Sequence, residues 1–312
     1  MPSDIILHHY AASPFSEKVR LVLGHKNLSW KSVTVPAIMP KPDVQALTGG
    51  YRKTPFLQIG SDVYCDSALM CDVLEHIQPT PTLYPEPHKG LARVLAQWAD
   101  TTLFWAAMAY NLQPKGALSM FDSLDTAKAF GADRGAMSVG MNRQRPADAA
   151  AAYKSYLRRI ADMLDGNDFL MGNTPCVADF SAYHPLWFSR TCVPVMAGIL
   201  DATPTVLQWM DRMAALGHGA KEKITATEAI AICAASTGAT AQNDETFQDE
   251  HAIPLGSQVT IAAETFGPEA TEGQLVGATR TRYTLKRLDE RAGIVHVHFP
   301  RIGYALKAVQ SP

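Results

Sequence analysis

Ala12-Ser13-Pro14-Phe15-Ser16-Glu17-Lys18-Val19-Arg20 is the stretch on which the reading of this chain turns. It follows Ile5-Ile6-Leu7, a short apolar run of strand character, and it opens a helix. Proline suits the first helical position, where a missing N–H leaves nothing unpaired. Val19, Leu21, Val22 and Leu23 carry the apolar pattern to a stop at Lys26-Asn27. Residues 30–35 then read as a second strand, returned parallel to the first by the helix, which makes a βαβ unit. After an irregular stretch, residues 55–59 and 63–65 form a hairpin around Gly60-Ser61-Asp62. Asp66 and Ser67 cap a further helix, with Leu69, Met70, Val73, Leu74 and Ile77 at helical spacing.

Past the proline-rich hinge Pro79-Thr80-Pro81-Thr82-Leu83-Tyr84-Pro85 the pattern turns helical. Leu91, Val94, Leu95, Trp98, Thr102 and Trp105 keep a helical period, as do Tyr153, Tyr156, Leu157, Ile160 and Leu164. Residues 180–188 and 206–216 repeat the signal. Residues 236–249 are polar and acidic, the composition of a linker. Beyond them the period becomes two, at residues 259–261, 283–285, 294–299 and 304–306, with turn signals at Gly256, Gly267, Gly273, Gly293 and Gly303. About five short strands in so short a span predict a small β-barrel-like unit. The expected division is an α/β domain at 1–80, an all-α domain at 88–222 and an all-β domain at 250–312.

Composition narrows the function. A formal net charge of -2 over 312 residues lacks the basic excess of a nucleic-acid binder. No apolar run approaches the roughly 20 residues that span a bilayer, so no membrane partner is expected. The N-terminus shows no basic segment followed by an apolar run, and the five cysteines form no C-x-x-C pair. Reduced thiols in a cytoplasmic protein fit this pattern. His296 and His298 share one strand face, but no third ligand stands at a suggestive spacing, so no metal is expected.

Three motifs stand in order in the first seventy residues. The opening stretch resembles the S-P-F-x-x-K/R-V-R segment of tau-class glutathione transferases, whose omega-class relatives carry C-P-F there. Lys53-Thr54-Pro55-Phe56-Leu57 resembles the family's K-x-P-x-L, where the proline is cis, and Asp66-Ser67 resembles its E/D-S pair. A lone S-P or D-S is an ordinary helix cap; the order of all three carries the resemblance, which covers residues 1–220. It implies a thioredoxin-like N-terminal domain, a transferase-type helical domain and a homodimer. The segment Cys176-Val177-Ala178-Asp179 resembles the family's S/T-x-A-D helix start, with cysteine in place of the capping hydroxyl.

The chemistry implied is activation of glutathione as a co-substrate. A free thiol with a pKa of roughly 8.5 leaves only a few per cent thiolate at neutral pH. A Ser13 hydroxyl and the positive end of the Pro14 helix would stabilise the anion; lowering the pKa by about two units takes roughly 2.7 kcal/mol. Ser13 is thus the expected catalytic residue, activating the thiolate of another molecule. Phe15, Lys53, Thr54, Pro55, Asp66 and Ser67 are the expected glutathione-binding residues: Thr54 pairs with the cysteinyl backbone, Asp66 meets the γ-glutamyl ammonium, Ser67 its carboxylate, and Lys53 the glycyl carboxylate. A hydrophobic electrophile is the expected second partner, with Phe104, Trp105, Met108, Tyr110 and Phe121 as candidates for its pocket. Two rivals stand beside this reading: a non-catalytic interaction protein of the same fold, and a glutathione-dependent reductase. The reductase is disfavoured because Ser13 replaces the cysteine that a mixed disulfide requires.

Overall fold

The computed structural model describes residues 4–142, 144–236, 247, 248 and 250–309. β1 (Ile5–His9), α1 (Pro14–His25) and β2 (Trp30–Thr34) form the parallel βαβ unit. The irregular stretch contains α2 (Pro42–Thr48), ended by Gly49 in the left-handed conformation at φ 78°. β3 (Phe56–Ile59) and β4 (Asp62–Cys65) are the antiparallel hairpin, and α3 (Ser67–Ile77) follows. Every residue of β1 is buried, as a strand covered on both faces must be.

The helical region holds α4 (Lys89–Trp98), α5 (Phe104–Asn111), α6 (Pro114–Ser119), α7 (Leu124–Met137), α8 (Pro146–Met163), α9 (Val177–Trp187) and α10 (Pro204–Ala215). Its core is aromatic, with Tyr153, Phe180 and Trp209 fully buried. Asp179 ties it together: its carboxylate accepts from the Leu170 N–H at 2.8 Å, the Cys176 N–H at 2.9 Å and the Trp209 indole at 3.0 Å. Burial pushes the Cys176 thiol up to about 12, which makes it inert. Two π-helical segments, Ala99–Leu103 and Phe188–Cys192, interrupt the α-helical runs.

The chain then returns to the first sheet. β5 (Lys221–Lys223) pairs in parallel with β2, and α11 (Ala226–Ala235) accepts a 2.8 Å hydrogen bond from the Gln58 amide at Ala229 O. Of the polar stretch expected at 236–249, residues 237–246 and 249 lie outside the described residues. β6 (Gln258–Ala263), β7 (Thr271–Ala278), β8 (Arg282–Asp289), β9 (Gly293–Pro300) and β10 (Tyr304–Ala308) form the expected C-terminal β region. In place of barrel closure, these strands are laid out as an open antiparallel array with β9 hydrogen-bonded to β4 in parallel register, Asp62↔His296 to Tyr64↔His298. The result is a single ten-stranded sheet in the order β10-β6-β7-β8-β9-β4-β3-β1-β2-β5. The physical reason is that the hairpin leaves β4 with a free edge, which β9 satisfies.

His298 fastens that seam. Its Nε2 lies 2.6 Å from Asp62 Oδ1, its Nδ1 lies 3.0 Å from Thr284 Oγ1, and its ring stacks on Tyr64. Among the described residues no cluster of three metal-ligating side chains occurs, and no helix is long and apolar enough to cross a membrane.

Candidate functional site

Strand register gathers the three motifs. His8 near the end of β1 faces Phe56 at the start of β3, and Phe56 faces Cys65 at the end of β4. The segments that follow β1, precede β3 and follow β4 therefore meet at one end of the sheet. Ser13, Thr54-Pro55 and Asp66-Ser67 lie in those three segments.

Ser13 is the N-cap of α1, with extended backbone at φ -79° and ψ 119°. Its Oγ accepts the Ser16 N–H at 3.2 Å and donates to Thr54 O at 3.4 Å. The Thr54–Pro55 peptide is cis, as the resemblance implies. Phe15 turns instead toward the helical region, its ring 4.7 Å from Phe104 and 4.5 Å from His184.

Asp66 caps α3 in a conformation that L-residues rarely adopt, φ 77° and ψ 131°. Its short carboxylate bonds locally: Oδ1 accepts the Ala68 N–H at 2.9 Å. Ser67 Oγ accepts from Lys18 Nζ at 3.1 Å, which leaves its own proton free to donate to a ligand. Lys18 is fully buried and pairs with Asp100 Oδ2 at 2.6 Å. Asp100, in the first π segment, also meets His184 Nε2 at 3.0 Å and the Ser181 hydroxyl at 3.2 Å. Burial alone would raise the Asp100 carboxyl, but Lys18 and His184 outweigh it and hold it below the usual range. The network ties the start of α3 to the helical region.

Two lysines differ. Lys53 is half-buried, its Nζ 5.3 Å from the Tyr51 ring and 4.7 Å from the Tyr304 ring; burial lowers its pKa, and Asp66 opposes the change. Lys41 is buried beside Thr54, donating to Arg52 O at 3.1 Å and Thr54 Oγ1 at 3.4 Å. Burial first, then the guanidinium of Arg134, brings it down to about 8. Sequence reading missed Lys41, Tyr51, Asp100 and Tyr304. Lys18 stood inside the quoted motif, but with no role attached. Nothing local marks the others.

The candidate electrophile pocket divides. Phe104 and Met108 are buried, Tyr110 packs on Tyr153, and Phe121 on Phe130. Trp105 meets Phe266, from the loop between β6 and β7, at 5.1 Å. In the same loop Gly267 donates to Met137 O at 2.8 Å, and a Cβ there would press on Lys53 Cγ at 3.0 Å.

Comparison with known proteins identifies the family. Family models for the glutathione S-transferase N-terminal and C-terminal domains match residues 7–82 and 135–216. A GST-like protein from Pseudomonas syringae is 40% identical, with a TM-score of 0.83, over 98% of this chain and 100% of that one. The chain belongs to the glutathione S-transferase superfamily. A tau-class transferase from mango, 17% identical, shares the fold at a TM-score of 0.51, over 68% of this chain and 89% of its own. A nearly whole transferase of that class thus maps onto two thirds of this glutathione transferase relative. FtsZ-localized protein A of Caulobacter vibrioides is 26% identical over 190 residues, 58% of this chain and 75% of its own.

Proposed function

We propose that this superfamily member binds glutathione at the Ser13 end of the sheet and transfers it to an apolar electrophile. The observation that carries the reading is the convergence of Ser13, the cis Thr54–Pro55 peptide and the Asp66-Ser67 helix start on one end of the sheet. Ser13 Oγ is held at a helix N-terminus, and its 3.4 Å contact to Thr54 O is long. Turning that proton onto a sulfur therefore sacrifices little, and the thiolate gains a donor and the helix dipole together. Ser67 and the α3 N-terminus receive the γ-glutamyl carboxylate, and Asp66 its ammonium. Lys41 and Lys53 supply cations for the glycyl carboxylate. Pro55 sets the edge along which Thr54 meets the cysteinyl backbone, and Phe15 anchors the Ser13 loop against the helical region. The thiolate attacks the electrophile's carbon, a carbon–sulfur bond forms, and the leaving group departs with its electron pair. A cytoplasmic homodimer completes the proposal.

Calorimetric titration with glutathione, followed by a conjugation assay with a chloro-aromatic acceptor, tests it. Saturable binding and conjugate formation are expected; absence of both sinks the reading. The likeness to FtsZ-localized protein A favours one second reading, a protein-binding role without conjugation. Glutathione binding with no turnover of any acceptor would favour it.

A further inference from the structure

The C-terminal strands reach the proposed glutathione site at Tyr304. Tyr304, at the start of β10, is buried and donates its hydroxyl to Asp66 Oδ2 at 3.1 Å. Its ring is one of the two that flank Lys53, and Phe299 backs it at 5.5 Å. Asp66 is held from the other side as well, since its N–H donates to the Tyr51 hydroxyl at 3.1 Å. Tyr51 is in turn fixed to the C-terminal region, its N–H donating to Thr271 Oγ1 at 3.2 Å. A residue with φ 77° persists only where its surroundings over-determine it. Here two tyrosines do so, and one of them comes from the far end of the chain.

We infer that Tyr304 is a positioning residue for the amino end of glutathione, acting through Asp66. The inference rests on the glutathione reading above. A carboxylate has about four lone-pair sites. In Asp66 one is taken by the Ala68 N–H and one by Tyr304, and both oxygens keep capacity for an incoming ammonium. The hydroxyl fixes which way those remaining lone pairs point. Burial, reinforced by Tyr51 and Asp66, raises the Tyr304 pKa well above its ordinary value, so the hydroxyl stays a donor at neutral pH. The tripeptide's amino end is therefore read by the N-terminal motif and the C-terminal sheet together. Position 304 lies outside both segments matched by the transferase family models.

Tyr304→Phe keeps the ring over Lys53 and removes only the hydroxyl. The unsubstituted and substituted chains are titrated with glutathione and with glutaryl-cysteinyl-glycine, which lacks only the γ-glutamyl amine. Roughly tenfold weaker glutathione binding is expected of Tyr304→Phe, with the analogue changed less than twofold and the melting temperature preserved. In an Asp66→Asn background the same substitution should add no further loss. A merely structural role would weaken both ligands equally. That outcome, or no change in either, overturns the inference and leaves the glutathione reading standing. An unsubstituted chain that takes up no glutathione overturns both.

Discussion

The N-terminal seventy residues and the C-terminal sixty contribute to the same sheet, yet they announce themselves very differently. In the first region chemistry constrains the residue types: a hydroxyl at a helix start, a proline before a strand, an acid-serine pair at the next helix start. In the second only the period of two is visible, and a period of two says which side chains face alike, not which strand lies alongside. The pairing of β9 with β4 joins positions more than two hundred residues apart. The difference teaches that such sequence motifs are local statements, whereas sheet membership is settled by which edge is left open.

The sharpest way to break this comparison is to cut the chain after Ser236. Removing β6 to β10 bares the β4 edge and uncovers Tyr51, Val63 and Tyr64, all buried in the intact sheet. The expected outcome is loss of soluble, glutathione-binding protein, read by size exclusion and calorimetry. A monodisperse truncated chain with unchanged affinity would show that the C-terminal strands are a separable attachment, as the linker-like composition of residues 236–249 suggests.

Next in size is Ser13→Ala. Loss of one preorganised donor to a developing anion costs about 10²–10³ in rate. Conjugation should fall by that factor while the glutathione Kd changes little, because the proposal assigns the rest of the tripeptide to Lys41, Lys53, Asp66 and Ser67. Full activity in the substituted chain would remove Ser13 from its role.

Much of the site was legible because its residues sit in contiguous stretches. Ser13 at a helix start, Thr54-Pro55 before a strand and Asp66-Ser67 at the next helix start are contexts that the local sequence shows, and strand register then brings the three segments to one end of the sheet. The illegible parts are those built by distant segments. α2 hid behind prolines at 40 and 42, and α7, with apolar residues that follow no clear stripe, gave no periodic signal. β5, three charged residues, reads as surface loop until it is seen against β2. Tyr304 reads as one more inward-facing strand aromatic, and only the register of β10 sets it over Asp66.

A smaller effect probes the seam itself. His298→Ala removes both imidazole hydrogen bonds and leaves the Asp62 carboxylate without its partner. A loss of about 2–3 kcal/mol is expected in urea unfolding. A change under half that would mean that backbone pairing alone holds β9 to β4.

Acidification should give the smallest change, and it probes the N-terminal core rather than the seam. Burial lowers His8 to about 4, and burial with Arg20 nearby lowers His9 to about 3. Both unfolded imidazoles take up protons below about pH 6.5, while the folded ones remain neutral until much lower pH. The unfolded state then binds more protons, so stability falls as pH falls, by about 1–2 kcal/mol between pH 7 and 6 for the pair. Unfolding free energies that stay level across that interval would contradict the burial of these rings.

A sheet that grows by recruiting strands at both margins must also stop growing. On one side it ends at β5, which is only Lys221-Glu222-Lys223, exposed along its length. Another molecule's strand docking there would have to desolvate charges of both signs and would gain only a three-residue ladder. Short length and lysine at an edge are the devices by which β-proteins refuse intermolecular pairing. The same three residues that are too brief and too polar to read as a strand thereby protect a ten-stranded sheet from becoming a template for aggregation.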